Sequence, residues 1–323
     1  MSKLPISDLA QEYRAFQAGN RYVNLPYEAL KIAGADRATF LHNFCTANIK
    51  VFEPGAGSEL FVLNVKGKIL CFGYVLVDAE HFILLIPEGH SDNLITHLDR
   101  YIIREDVSLS KSSSPVRLFR PSDSDSQFSD SSGYLDYLPV SSDVPFAVVN
   151  SGLTAEQDLV ALIGDEDLAR AEDWFQSREI SNAPAEVFEL ARIQQGTPIF
   201  GRDITEENLP QEIQRDELAI SFTKGCYLGQ ETVARIDALG RVNKFLVSVN
   251  IEGQELPDVG SELFDDDDSS IGKLTSVAIS PRTETDLSIV GLAIVKRKFA
   301  APGTVLTCQF DNKAARITVL NRS

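Results

Sequence analysis

From Phe245 to Ile251 the chain reads F-L-V-S-V-N-I, a strict alternation that puts Phe245, Val247, Val249 and Ile251 on one side of a strand. Four more apolar runs follow: I-G-K-L-T-S-V-A-I, L-S-I-V-G-L-A-I-V, T-V-L-T-C-Q-F and A-R-I-T-V-L. Gly, Pro and Asp separate them. A period of two does not suit a helix. The region therefore predicts a small barrel or sandwich of roughly 80 residues. A domain boundary is expected near residue 244, dividing the chain into 1–244 and 245–323.

Upstream the pattern is mixed. A helix is predicted from Ser7, as its cap, to about Ala18, with Leu9, Tyr13 and Phe16 on one face and Gly19 as its stop. A shorter helical signal surrounds Phe40, Leu41 and Phe44. Between Glu59 and Ile86 three β-rich runs, broken at Lys66-Gly67-Lys68 and Asp78-Ala79-Glu80, predict neighbouring antiparallel strands. A helix should follow from about Asp92 to Tyr101, then a polar loop at residues 121–133 and a strand at Phe146–Val149. Thr154 with Gln157 fits a capping box for a helix containing Leu159, Leu162 and Ile163. Further helices are expected over Leu168–Phe175 and from Pro184 to Gly196.

The chain has 323 residues and a formal net charge of −17, which suits two or three globular domains and argues against holding a phosphate backbone by bulk charge. No direct nucleic-acid binding is expected. No apolar run approaches the roughly 20 residues of a membrane span, and the start lacks a secretory core, so a cytoplasmic, membrane-free protein is expected. Cys45, Cys71, Cys226 and Cys308 form no CxxC pair. His42 and Cys45 form an H-x-x-C pair, but no second ligand pair at zinc spacing accompanies it, so no metal site is expected. Asp265–Asp268 lacks the alternating ligands of a calcium loop and reads as a solvated hairpin turn. No G-x-S-x-G, Walker A or Rossmann glycine run is present.

The densest chemical signal is K-G-C-Y-L-G-Q-E-T-V-A-R, residues 224–235. Gly225 and Gly229 allow tight backbone on either side of Cys226, and Gln230 and Glu231 should open a helix through Val233 and Ile236. A thiol beside Lys224 and near a helix start is placed to favour thiolate; a cysteine packed under a turn has the same spacing. A second segment, residues 192–212, holds polar side chains punctuated by Gly196, Pro198, Gly201 and Pro210. It suits either the amide-like edge of a heterocycle or an ordinary surface loop.

These two segments in tandem resemble the YgfZ-type folate-binding proteins, relatives of the glycine-cleavage T-protein (aminomethyltransferase). K-G-C-Y-L-G-Q-E carries the resemblance. F-L-H-N-F-C-T-A-N-I-K, L-N-V-K-G-K-I-L, F-G-R-D-I with L-P-Q-E, G-K-L-T-S-V-A-I-S-P and G-L-A-I-V extend it in order over residues 30–310. The resemblance implies an α+β ring of two interleaved α/β modules with antiparallel sheets, closed by a C-terminal β-barrel. It further implies tetrahydrofolate or a related reduced folate in a central opening. The implied role is accessory, in assembly or repair of iron–sulfur clusters, with client iron–sulfur proteins or cluster-assembly factors as partners and tRNA-modifying enzymes among the clients. The alternatives are a true aminomethyl- or methyltransferase and a binding module that no longer holds folate.

The site residues that follow are Cys226 as a functional thiol with Lys224 beside it, and Arg192, Gln194, Asp203, Gln230 and Glu231 for the folate. Arg235, Arg241 and Lys244 would meet the carboxylates of its glutamyl tail. Three positions depart from the pattern. Cys71 and Phe72 stand where T-proteins carry acidic residues, and neither can relay a proton at neutral pH. Gln194 replaces a glutamate, losing the charge-assisted bond to the pterin.

Overall fold

The computed structural model describes residues 5–321 apart from 113–114, 122–127, 129–132, 139, 142, 156–157, 241, 254, 282–286 and 312. After α1 (Ile6–Gln17), β1 (Arg21–Asn24) and β2 (Tyr27–Ala33) enter different sheets. β2 joins β3 (Gly57–Leu63), β4 (Ile69–Val77), β5 (His81–Pro87) and β6 (Ser108–Ser112) in an antiparallel sheet of order β3-β4-β5-β2-β6. The chain then returns to β1 with β7 (Val116–Phe119), β8 (Tyr137–Leu138), β9 (Ala147–Asn150), β10 (Leu159–Leu162) and β11 (Ser181–Asn182). That sheet has the order β11-β1-β7-β10-β9-β8 and is antiparallel except at β1–β11. The two modules are therefore interleaved in sequence.

The sheets meet through a shared core in which Val23, Val116, Leu118, Val149 and Val160 of one pack with Tyr27, Tyr74, Leu76 and Leu85 of the other. Helices cover the outer faces. Phe40 and Leu41 of α2 (Arg37–Phe44) and Leu94 and Leu98 of α3 (Ser91–Asp99) lie with Val75 and Val77. Trp174 and Phe175 of α4 (Leu168–Ser177) lie with Phe119, Leu159 and Ala161. Strands buried on both faces read as continuous apolar runs, and this explains one correction. Leu159–Leu162 is strand β10, not the helix that Thr154 suggested, because Val160 faces the shared core while Leu159 and Ala161 face the α4 side. Gln157, the other half of the expected capping box, lies outside the described residues, as do 122–127 and 129–132 of the polar loop. A smaller correction concerns Ser7: it sits within α1, after Pro5, and bonds Asp8 instead of capping.

α5 (Ala185–Gln195), α6 (Asp216–Ala219) and α7 (Gln230–Leu239) lead into β12 (Lys244–Ile251), β13 (Glu262–Phe264), β14 (Ser270–Pro281), β15 (Leu287–Lys296), β16 (Val305–Phe310) and β17 (Lys313–Val319). These six strands form a barrel of order β12-β15-β14-β13-β16-β17 that closes through β12–β17 pairing. Val247, Val249 and Ile251 point into its core, as their alternation requires. At the β13–β14 turn Asp265 Oδ1 accepts from the amides of Asp267 and Ser269, a side-chain-stabilised hairpin tip.

Candidate functional site

The segment 221–228 is fastened to the end of α2. Its Ser221 and Leu228 amides donate to Thr46 O and Asn43 O, each at 2.9 Å. Lys224 reaches underneath and donates from Nζ to His42 O at 2.6 Å, Cys45 O at 2.8 Å and Ala47 O at 2.6 Å. These carbonyls belong to the end of a helix and the turn after it, where acceptors lack intrahelical partners and the dipole favours a cation. Lys224 is buried, and desolvation lowers its pKa to about 8. Its charge is committed to these carbonyls, not directed at a neighbouring thiol as its position in the sequence suggested. His42 lies under the same segment, close to Gly225. Burial, with Lys224 and Lys50 nearby, lowers it to about 4 and keeps it neutral.

Cys226 is the exposed member of the four free cysteines. Burial pushes Cys71 up to about 12 and Cys45 and Cys308 up to about 11. One thiol is thus presented to solvent from a loop whose backbone and neighbouring lysine are fixed. Among the described residues no three His, Cys, Asp or Glu side chains gather as a metal site.

Just beyond, Gly229 (φ +84°) begins α7 against the β3–β4 turn. A Cβ there would lie 2.6 Å from Asn64 O and 3.0 Å from Gly67 Cα. Gln230 is half-buried, Glu231 and Arg235 are exposed on α7, and Lys244 is exposed at the start of β12. Arg241 lies outside the described residues. The two motif segments meet where Gln211 Nε2 donates to Val233 O at 2.8 Å.

Arg192, Gln194 and Asp203 form a separate group between α5 and the barrel. Arg192 is wholly buried and donates to Asp203 Oδ2 at 2.9 Å, to both Glu189 oxygens, to Thr197 O and to Ser276 Oγ. Asp203 also accepts from the Ile199 amide, Thr275 Oγ1 and Ser276 Oγ. Gln194 accepts from Tyr13 at 2.5 Å and donates to Ser280 at 2.8 Å. The polar atoms of this group are directed at one another.

A third polar group went unnoticed in the sequence. Glu59, fully buried, accepts from Arg215 Nε at 2.5 Å, from Arg215 Nη2 and from the Tyr134 hydroxyl. Tyr74, opposite Glu59 on β4, has a buried hydroxyl that makes no well-formed hydrogen bond among the described residues, and its ring lies 6.1 Å from that of Tyr27. Burial raises the pKa of both tyrosines. An acidic residue opening the apolar run E-L-F-V-L was the available signal. On the same strand as Tyr74, Cys71 is buried and Phe72 packs against Phe61 at 4.9 Å, so neither offers an acid or base.

No protein-family model matches the chain. The tRNA-modifying protein YgfZ of Buchnera aphidicola subsp. Schizaphis graminum is 26% identical over 243 residues, covering 71% of this chain and 73% of the relative. An iron–sulfur cluster assembly factor IBA57 homologue, mitochondrial, from Yarrowia lipolytica is 24% identical over 260 residues, 69% of this chain and 54% of the relative. The glycine cleavage system aminomethyltransferase T of Bartonella henselae superposes with a TM-score of 0.84 at 16% identity, over 97% of this chain and 88% of its own. The chain is thus similar in sequence to YgfZ and IBA57 proteins and in fold to the glycine-cleavage T-protein. Its α+β fold, with antiparallel sheets and a six-stranded C-terminal barrel, is the T-protein fold. The octapeptide lies on the fixed loop and helix start described above, and the Cys71–Phe72 pair lies in a strand interior.

Proposed function

We propose that this chain is a YgfZ/IBA57-type, cytoplasmic, tetrahydrofolate-binding accessory protein for iron–sulfur cluster assembly or repair in client enzymes, tRNA-modifying ones included. Residues 1–244 would form the folate-binding region and 245–323 the closing barrel. The observation that carries the reading is Cys226, a single exposed thiol on a loop anchored by Lys224. A thiolate there can touch a cluster carried by a client or assembly factor, and the partner would bring the remaining ligands. Kinship to proteins named for cluster assembly and tRNA modification supports the same role.

The residues fit a folate in part. Exposed Arg235 and Lys244 suit the tail carboxylates. Gln194 and Asp203 would first have to release their present partners to meet the heterocycle. Aminomethyl transfer is disfavoured. It needs a proton handled near the folate nitrogen, and Cys71 and Phe72 remove a contribution of roughly 10²- to 10⁴-fold.

Calorimetric titration with tetrahydrofolate to millimolar concentration should show binding; absence of heat with every reduced folate sinks the folate half. In cells dependent on this protein, Cys226→Ser should depress iron–sulfur enzyme activity while Cys71→Ser should not. Native Cys226 should also label fastest with a thiol reagent. Full activity of the serine variant, with no faster labelling, makes the loop purely structural.

A further inference from the structure

A recess that Cys226 does not line lies between α6, the C-terminal half of α7 and the start of β12. It is about 470 Å³ in volume, with Leu218, Ile236, Val242 and Phe245 as its apolar lining. Its rim is acidic: Glu217 and Asp237 are exposed, and Asp216 also lines it but is already engaged. The guanidinium of Arg215 is held by Glu59, and Arg297 reaches the far lip at Gly240 O.

Gln211 supplies the second observation. It lines the recess and is 4% exposed, yet its Oε1 has no hydrogen-bond partner among the described residues. Its Nε2 donates to Val233 O, so the amide cannot be flipped without setting two oxygens against each other. Two exposed carboxylates over an aliphatic floor suit a donor-rich head carried on methylenes, and Gln211, with an acceptor still open, forms part of the wall.

We propose that this groove receives a basic side chain, lysine or arginine, from an apolar-flanked segment of a partner polypeptide. Charge complementarity selects the sign. Leu218 on one bank is 43% exposed and Leu239 on the adjoining helix is 60% exposed. A small free cation would leave both in water, whereas a polypeptide segment would cover them. The proposal uses none of the side chains named above for the folate tail or the cluster, and its test reads a different ligand, so it can fail separately from that reading.

The test measures anisotropy of a labelled peptide alternating arginine and leucine, with a glutamate–leucine counterpart and spermine as a competitor. Because the whole chain carries −17, the decisive control reverses charge elsewhere. Glu217→Lys with Asp237→Lys should weaken the basic peptide by about tenfold, while Asp265→Lys with Asp267→Lys on the hairpin tip should change it by less than about twofold. Leu239→Ser should weaken it by about threefold without altering the spermine response. Equal weakening by both charge reversals, or no binding of the basic peptide, overturns the proposal. So does spermine binding that matches the peptide's and ignores Leu239→Ser, since the occupant would then be a free cation.

Discussion

Lys224 shows how a single side chain can fix a loop without touching the thiol that the loop presents. Its ammonium closes three carbonyls at the end of α2, so the loop bearing Cys226 inherits the rigidity of a helix packed in a core. Gly229 acts at the other end of the loop through the absence of a side chain. With φ at +84° and Asn64 O 2.6 Å from a would-be Cβ, alanine there combines backbone strain with overlap against backbone atoms. Gly229→Ala should therefore destabilise the protein by roughly 2–5 kcal/mol, seen as a lower denaturant midpoint. Gly240 is the internal control, since its φ is +58° but nothing lies within 4 Å. Gly240→Ala should lose only about 1–2 kcal/mol. Equal losses at the two glycines would refute the close-approach argument.

At the scale of elements, the group around Arg192 fastens α5 to strand β14 of the barrel. Removing one partner leaves a buried charge unmet, so Asp203→Ala should destabilise by about 3–5 kcal/mol. Ser276→Ala removes a hydroxyl whose neighbours keep other bonds, and should cost nearer 1 kcal/mol. Equilibrium denaturation of both variants checks the ranking, and an Asp203→Ala loss no larger than that of Ser276→Ala would show the pair is not buried in solution. Five of the six barrel strands, the β3–β5 hairpins and α7 were legible in the sequence from their period or boundaries, whereas the three-residue β13 is too short to show one. β10 was not, since a strand covered on both faces shows no alternation. The octapeptide was legible as a turn before a helix, but the groups it meets were not. His42 lies 183 positions from Gly225, and Glu59 lies 156 from Arg215, distances across which spacing carries no information.

For the whole molecule, the folded state holds several histidines neutral. Burial lowers His42 to about 4 and also lowers His81 and His97, all from an ordinary value of 6.5. A histidine whose folded pKa is depressed takes up its proton more readily when the chain is unfolded. Stability from these groups is therefore full above pH 6.5 and falls as the pH drops toward the folded values. Asp158 acts in the opposite sense, because burial raises its carboxyl above 3.8, so protonation there favours the folded state. Its ordinary titration range lies lower, which leaves the histidines to dominate between pH 6.5 and 5. His42 has the largest effect expected, since its ring meets Lys224 and Lys50 as well as low polarity. The thermal midpoint should decline from pH 7.5 to pH 5, and His42→Gln should shrink that decline while leaving the hairpin and barrel intact. Because His42 lies beneath Gly225, the same acidification should loosen the loop, seen as faster amide hydrogen exchange there relative to the barrel strands. A glutamine variant with the same pH dependence of stability as the parent would show that His42 is not held neutral under the loop.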